Sequence, residues 1–190
     1  MCGFIAHGWE ANRSAPDKSD QLRKQTAKRS LTPLAPLSFP MHYRLYEPAD
    51  FHDVYAIEEV CFQHPYRFTR RYMRQLVASR NSATWIAEQN TEMTGFAIVE
   101  WTEQASGVIA YIATIEVLPR FRQHGIGAEL LRRLEGSANA ERAIAIWLHV
   151  DMENAAAIRL YERLGYQSSG RAEHFYARNR SAAIYVKDLV

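Results

Sequence analysis

Residues 111–131 read YIATIEVLPRFRQHGIGAELL, and the chemistry closest to hand lies at their centre. An apolar, β-branched run that suits a buried strand ends at Pro119, which has no N–H to continue a ladder. Beyond Gly125 and Gly127, the residues Ile126, Leu130, Leu131 and Leu134 recur at helical spacing. The two glycines therefore stand where a strand turns into a helix. Backbone N–H groups are unpaired there, the positive end of the helix dipole points outward, and without a Cβ the backbone lets a ligand come close. Such a turn can hold a phosphate or pyrophosphate, and it is also the form of an ordinary strand–helix connection. It is no P-loop, which needs Gly-Lys-Ser/Thr where this chain has Gly127-Ala128-Glu129. A dinucleotide fingerprint wants a small residue where Leu130 stands.

The remaining elements must hold that turn in place. Residues 42–46 read as a short strand. Pro48, Ala49 and Asp50 open a helix, with Asp50 as N-cap and Val54, Ile57, Glu58 and Cys61 at helical spacing. Thr69 caps a second helix carrying Tyr72, Met73, Leu76 and Val77. Strands over 84–88 and 95–101 are joined by the polar turn 89–94, a hairpin signal. The long strand to Val117 follows, then the glycine turn and a helix to about residue 138. A strand over 144–150 leads to a helix over 154–164, with Asn154 as N-cap and Gly165 just past its end. Strands over 171–178 and 182–189 close the chain. The order β-α-α-β-β-β-α-β-α-β-β predicts a mixed sheet with helices on its faces.

Composition bounds the rest. The chain has 190 residues, 47% hydrophobic and 23% charged, enough for one domain with a real core. Residues 1–40 carry six Lys/Arg against three Asp/Glu, and 41–190 carry 17 against 18, so the larger part is near neutral and argues against a broad nucleic-acid surface. Polar residues from Asn12 to Asp20 and prolines at 33, 36 and 40 erase any period in the first segment. Residues 1–40 are expected to be a disordered tail and 41–190 the domain, with Met41 the natural start or the tail dispensable. No apolar run approaches the roughly 18–20 residues of a membrane span, and residues 1–9 are too short and mixed for a secretory signal. Cys2 and Cys61 are too few for a disulfide framework, Cys61 fits a core position, and a reducing cytoplasm is the expected location. The histidines are scattered without ligand spacing, so no metal is expected. Oligomeric state is left open.

With these elements in order, Arg122-Gln123-His124-Gly125-Ile126-Gly127 resembles the R/Q-x-x-G-x-G/A signature of the GNAT acyl-CoA N-acyltransferases. Residues 154–166, NAAAIRLYERLGY, look like the second half of that family's pattern. The resemblance covers about residues 41–190. Within the family, Ile146-Trp147-Leu148 followed by Asn154-Ala155-Ala156-Ala157-Ile158 is similar to the RimI-type protein N-terminal acetyltransferases. Residues 174–176 and 182–184 are similar to their last hairpin. The resemblance implies the GNAT fold, an α/β (α+β) arrangement with a mixed, mostly antiparallel sheet of about seven strands flanked by four helices.

It also implies acetyl-CoA as co-substrate and an amine as acceptor: a protein or peptide N-terminus, or, alternatively, a small amine. By resemblance, Arg122, Gln123, His124, Gly125, Ile126, Gly127 and Ala128 hold the pyrophosphate. The edge at Ile115 and Val117 takes the pantetheine amides as an added strand would. Asn154 contacts the cofactor or serves only as an N-cap. Tyr161 stands where the family keeps a tyrosine that protonates the leaving thiolate; on sequence alone it also fits a core aromatic. The base is open. RimI-type enzymes carry Glu where this chain has His149. A neutral imidazole, titrating near 6.5, can take a proton from an α-amine titrating near 7.7–8.0 but is poorly matched to lysine near 10.4. Glu116 is the other candidate; alternation sets it opposite Ile115 and Val117, pointing into the site or to solvent. Tyr66 and Phe68 lie at the position of the family's substrate loop, and Tyr176 at that of a peptide-binding aromatic. A further alternative is a CoA-binding regulatory module without catalysis, whose support is the change to His149. No nucleic acid and no membrane partner is expected.

Overall fold

The computed structural model describes residues 40–62, 66–177 and 180–189. The tail assignment for residues 1–39 lies outside the described residues. The domain follows as β1 (His42–Leu45), α1 (Phe51–Cys61), α2 (Arg70–Val77), β2 (Ser82–Gln89), β3 (Glu92–Gln104), β4 (Gly107–Val117), α3 (Ile126–Ala140), β5 (Ala143–Asp151), α4 (Ala155–Arg163), β6 (Gln167–Ala177) and β7 (Arg180–Asp188). That is the order the sequence predicts. The seven strands form one sheet, β1-β2-β3-β4-β5-β7-β6. Only β4 and β5 are parallel; the other neighbours are antiparallel.

Each face of the sheet buries its own helices. Leu130, Leu131 and Leu134 of α3, all at 0% exposure, pack with Val99, Ile112, Ile146 and Leu148. On the opposite face, Val54 and Ile57 of α1 and Met73 and Leu76 of α2 pack with Ile86, Phe96, Ile98 and Tyr111. Burial of these stripes from both sides supplies most of the stability of such a layered fold. The helix signals at Thr69 and Asn154 operate as read: Thr69 Oγ1 accepts the Tyr72 N–H at 3.2 Å and Asn154 Oδ1 the Ala157 N–H at 3.1 Å. The Asp50 signal does not. Its carboxylate accepts both guanidinium arms of Arg44, at 2.7 and 2.8 Å, and the Glu47 N–H at 2.7 Å, inside a 3-10 turn over Pro48–Asp50. A charge-assisted bidentate partner outcompetes the neutral N–H groups of α1. The β2–β3 turn is also tighter than read, with Asn90 and Thr91 both at positive φ.

Two irregularities build the centre of the domain. First, β3 pairs Ile98 with Thr114 but Val99 with Ile112, so Ala113 is an extra residue in β4. A bulge of this kind reverses the alternation beyond it. Tyr111 and Ala113 face α1 and α2, and after the bulge Ile115 and Val117 pack toward the α3 face. Glu116 is thereby turned into the layer beneath α1. Second, β4 and β5 pair only from Val108↔Ala143 to Tyr111↔Trp147. Beyond that point β4 continues to Val117 and β5 to Asp151 without pairing each other, which leaves two strand edges diverging from a common root.

Candidate active site

The glycine turn lies at the open end of that split. After Val117 the chain makes a 3-10 turn over Pro119–Phe121 and enters α3 through two left-handed residues, Gln123 at φ 65° and Gly125 at φ 81°. A glycine holds such a conformation without steric cost, whereas Gln123 carries local strain. Gln123 and Gly125 are exposed, and the first N–H groups of α3, at Ile126, Gly127 and Ala128, face outward as the start of a helix requires. The Ile126 side chain is 1% exposed, so it can offer a ligand only its amide. Arg122 differs from its neighbours. Its N–H goes to the Pro119 carbonyl at 3.3 Å. Its guanidinium donates to the Val117 carbonyl at 2.9 Å and reaches the Cys61 thiol at 3.8 Å, tying the turn to the end of β4 and to α1. The His124 ring folds back on the turn, with Nδ1 2.8 Å from the Arg122 carbonyl.

These features fit a CoA. Unpaired amides over 123–128 suit a pyrophosphate, and the diverging β4 edge at Ile115 and Val117 suits the amides of a pantetheine arm. Asn154 spends its carbonyl arm on the cap of α4; its amide arm has no partner among the described residues.

On the α1 and α2 side of the split, His149 and Tyr111 come together. The Tyr111 hydroxyl lies 3.3 Å from His149 Nδ1. The imidazole stacks on Phe175 at 3.9 Å between centroids and 20° between planes, with Trp147 edge-on at 5.1 Å. Both residues are buried. Burial pushes the Tyr111 phenol well above its ordinary range, with a further contribution from Tyr176. Tyr161 is held on α4 at 5% exposure between the rings of Tyr166 and Tyr185, and its phenol is likewise pushed up by desolvation. Both phenols stay protonated through neutral pH, so Tyr161 suits a donor, and Tyr111 can pass a proton on only by giving up its own to His149 in the same step.

Tyr66 and Tyr176 meet edge to face at 6.3 Å, and the Arg180 guanidinium lies 5.0 Å over the Tyr66 ring while ion-pairing with the buried Asp151. Four elements are thus drawn together beside Phe175 and His149. Phe68 does not share that wall: its side chain is 8% exposed and packs into the α1–α2 core against Tyr72. Glu116 is 2% exposed, and its partners are the Thr114 hydroxyl at 3.0 Å and the carboxyl of Glu58.

No site role follows from the sequence for Tyr111, Phe175 or Glu58. Glu58 left a usable signal, a carboxylate on the apolar stripe of α1 between Ile57 and Cys61. Tyr111 left none, because its face depends on the bulge at Ala113. Among the described residues there is no group of three His, Cys, Asp or Glu that could hold a metal, and no helix long and apolar enough to cross a membrane.

Comparison with known proteins agrees with this geometry. The profile of the Acetyltransferase (GNAT) family matches residues 51–166. An N-alpha-acetyltransferase of Sulfurisphaera tokodaii is 27% identical over 135 residues, 66% of this chain and 78% of that protein. The ribosomal protein bS18-alanine N-acetyltransferase of Escherichia coli K12 is 33% identical over 88 residues, 46% of this chain and 57% of that enzyme, so the match spans little more than half of it. Among solved structures, the Escherichia coli ribosomal-protein-S18-alanine N-acetyltransferase shares the fold with a TM-score of 0.69 at 24% identity, covering 79% of this chain and 94% of that one. Arabidopsis thaliana NAA60 in complex with acetyl-CoA shares it with a TM-score of 0.70 at 21% identity, covering 78% and 98%.

Proposed function

The chain belongs to the GNAT acetyltransferase family, and from that premise we propose that it moves an acetyl group from acetyl-CoA to the N-terminal α-amine of a protein or peptide. The observation that carries the reading is the Tyr111–His149 pair at the root of the β4–β5 split, 3.3 Å apart and backed by Phe175 and Trp147. The printed names of the N-alpha-acetyltransferase and of the ribosomal protein alanine N-acetyltransferase support the choice of acceptor, although another relative, from Arabidopsis thaliana, is named a histone acetyltransferase.

When bound, acetyl-CoA supplies the thioester carbonyl that the amine attacks. The chain's own groups do the rest. Amides over 123–128, at the dipole end of α3, hold the pyrophosphate, and the free edge of β4 aligns the pantetheine. With its proton on Nε2, His149 accepts the Tyr111 hydroxyl at Nδ1. The tyrosine oxygen can then take the amine proton as its own passes to the imidazole. An α-amine near 7.7–8.0 needs no stronger acceptor, whereas a lysine near 10.4 would. Tyr161, kept protonated by burial, returns a proton to the leaving thiolate. We assign Glu116 no transfer step, because its carboxyl is engaged with Thr114 and Glu58. Tyr66 and Tyr176, braced by Arg180 and Asp151, form the wall along which the first residues of the acceptor lie; Phe68 supports that wall from the core. A reducing cytoplasm is the proposed setting, consistent with a free, buried Cys61.

The test is a pair of variants, His149→Ala and Tyr161→Phe, assayed with an N-terminally free peptide. Transfer should fall by about 10²–10⁴ in the first and measurably in the second, with acetyl-CoA binding retained in both. Wild-type protein that binds acetyl-CoA and acetylates none of a panel of free N-termini would overturn the reading.

A further inference from the structure

The buried pair Glu58–Glu116 takes no part in the transfer described above, and it is the least expected feature of the core. Glu58, on α1, is 0% exposed, and Glu116, on β4, is 2% exposed. One oxygen of each is satisfied: Glu58 Oε1 accepts the Phe68 N–H at 2.6 Å, and Glu116 Oε1 accepts the Thr114 hydroxyl at 3.0 Å. The second oxygens, Glu58 Oε2 and Glu116 Oε2, are sealed from solvent and accept no hydrogen bond among the described residues, and each carboxyl acts electrostatically on the other. Two carboxylates cannot share an apolar pocket while both are ionised; one keeps a proton and donates it to the other. The pair therefore carries one proton and one negative charge.

The groups facing it are few. Cys61 lies one turn along α1, Arg67 attracts Glu58 from the loop while ion-pairing with Glu59, Arg122 reaches in through Cys61, and Thr114 comes from β4 itself. On β3, opposite Glu116, are Phe96 and the neighbouring Gly95, which bring no charge. A Cβ at Gly95 would stand 2.4 Å from the Glu116 carbonyl oxygen, so the strands pass as closely here as glycine allows.

The position gives the pair a consequence. Phe68 is clamped by α1 at both ends of its backbone: its N–H goes to Glu58, and its carbonyl accepts the Tyr55 hydroxyl at 3.3 Å. Phe68 follows Tyr66, whose ring forms the wall with Tyr176. Glu116 sits between Ile115 and Val117, on the free edge of β4. We propose that Glu58 and Glu116 form a single-proton pair of positioning residues that locks the Tyr66–Phe68 segment to strand β4, so that loss of the shared proton loosens the acceptor side of the site. Once both carboxyls are ionised they repel, Glu58 draws back, and the Phe68 N–H loses its charge-assisted partner. Desolvation and mutual repulsion, which hold the Glu116 carboxyl well above the usual range, set the direction: the lock is made at lower pH and released as pH rises. This consequence rests on the proposed role of Tyr66 in acceptor binding; the lock itself does not.

The experiment compares full-length wild type with Glu116→Gln, Glu58→Gln and Glu58→Ala from about pH 6 to about pH 9.5. Either glutamine supplies an amide donor across the pair and removes the proton that can be lost. Acceptor KM in wild type, divided by that of Glu116→Gln at each pH, cancels the titration of the substrate amine and should rise toward alkaline pH. Glu58→Ala should raise acceptor KM on the order of tenfold with kcat much less affected, and Glu58→Gln should restore it. Hydrogen exchange at the Phe68 amide, corrected for the intrinsic rate, is read without any substrate. Protection that falls with pH in wild type and stays level in Glu116→Gln supports the lock even if the acceptor is not a peptide. Level protection in wild type, with superimposable KM profiles, overturns the lock and leaves the N-terminal acetyltransferase reading standing.

Discussion

Replacing Tyr111 by Phe removes one oxygen from the centre of the account. The ring contacts survive the change: the ring centroid lies 4.7 Å from Trp147 and 5.9 Å from His149. What disappears is the 3.3 Å contact to His149 Nδ1, which is at the long end for a hydrogen bond. A neutral bond of that length contributes at the lower part of about 0.5–1.5 kcal/mol to stability, and removing a buried hydroxyl also removes its desolvation cost. The variant should therefore melt within a few degrees of wild type. Catalysis should respond differently. If the amine proton leaves through Tyr111 to His149, the missing oxygen breaks the path, and kcat should fall about a hundredfold, or roughly 2.7 kcal/mol in the barrier. Acetyl-CoA affinity should hold, because the proposed phosphate site is the start of α3, at the open end of the β4–β5 split, whereas Tyr111 stands at its root. The assay is steady-state transfer to a free N-terminal peptide, with acetyl-CoA binding measured by calorimetry and folding by thermal melt. A folded variant that binds acetyl-CoA and turns over within about threefold of wild type would refute the proton path.

Gly125→Ala forces a Cβ onto φ 81° with nothing within 4 Å of it, so stability should fall by only about 1 kcal/mol, while acetyl-CoA Kd should rise at least about tenfold because the methyl occupies the anion's approach; unchanged Kd by calorimetry would argue against the turn as the pyrophosphate site. Glu116→Gln should gain stability relative to wild type as pH rises above the ordinary carboxylate range near 4.3. The unfolded wild-type chain releases two protons from Glu58 and Glu116 there and the folded chain one, so wild-type stability declines until the raised value of the pair is passed. Urea midpoints between about pH 4.5 and about pH 7.5 check this, and parallel profiles would contradict it. Residues 41–190 expressed alone should fold and bind acetyl-CoA as the full chain does, a result read from circular dichroism and calorimetry.

Much of this architecture is legible because local signals do the work. The apolar periods of α1 to α4, the caps at Thr69 and Asn154 and the glycines after β4 set the element order and place the anion turn. Asp50 misled because its partner, Arg44, lies on a different element, and no local rule anticipates a bidentate competitor. The proton-handling residues are harder for the same reason. Tyr111 and His149 lie 38 positions apart, and Glu58 and Glu116 meet only because Ala113 bulges out of the ladder with no Gly or Pro to announce it. Alternation correctly set Glu116 opposite Ile115 and Val117, but which side faced α1 was decided by the bulge.

The central claim is that the acceptor is an α-amine. The most direct measurement offers the wild-type protein one peptide carrying both a free N-terminus and an internal lysine, with acetyl-CoA, and locates the acetyl group by tandem mass spectrometry. The Tyr111–His149 pair predicts modification at the N-terminal nitrogen, with the lysine left free at neutral pH. Acetylation confined to the lysine, or none under conditions where acetyl-CoA binds, would contradict it.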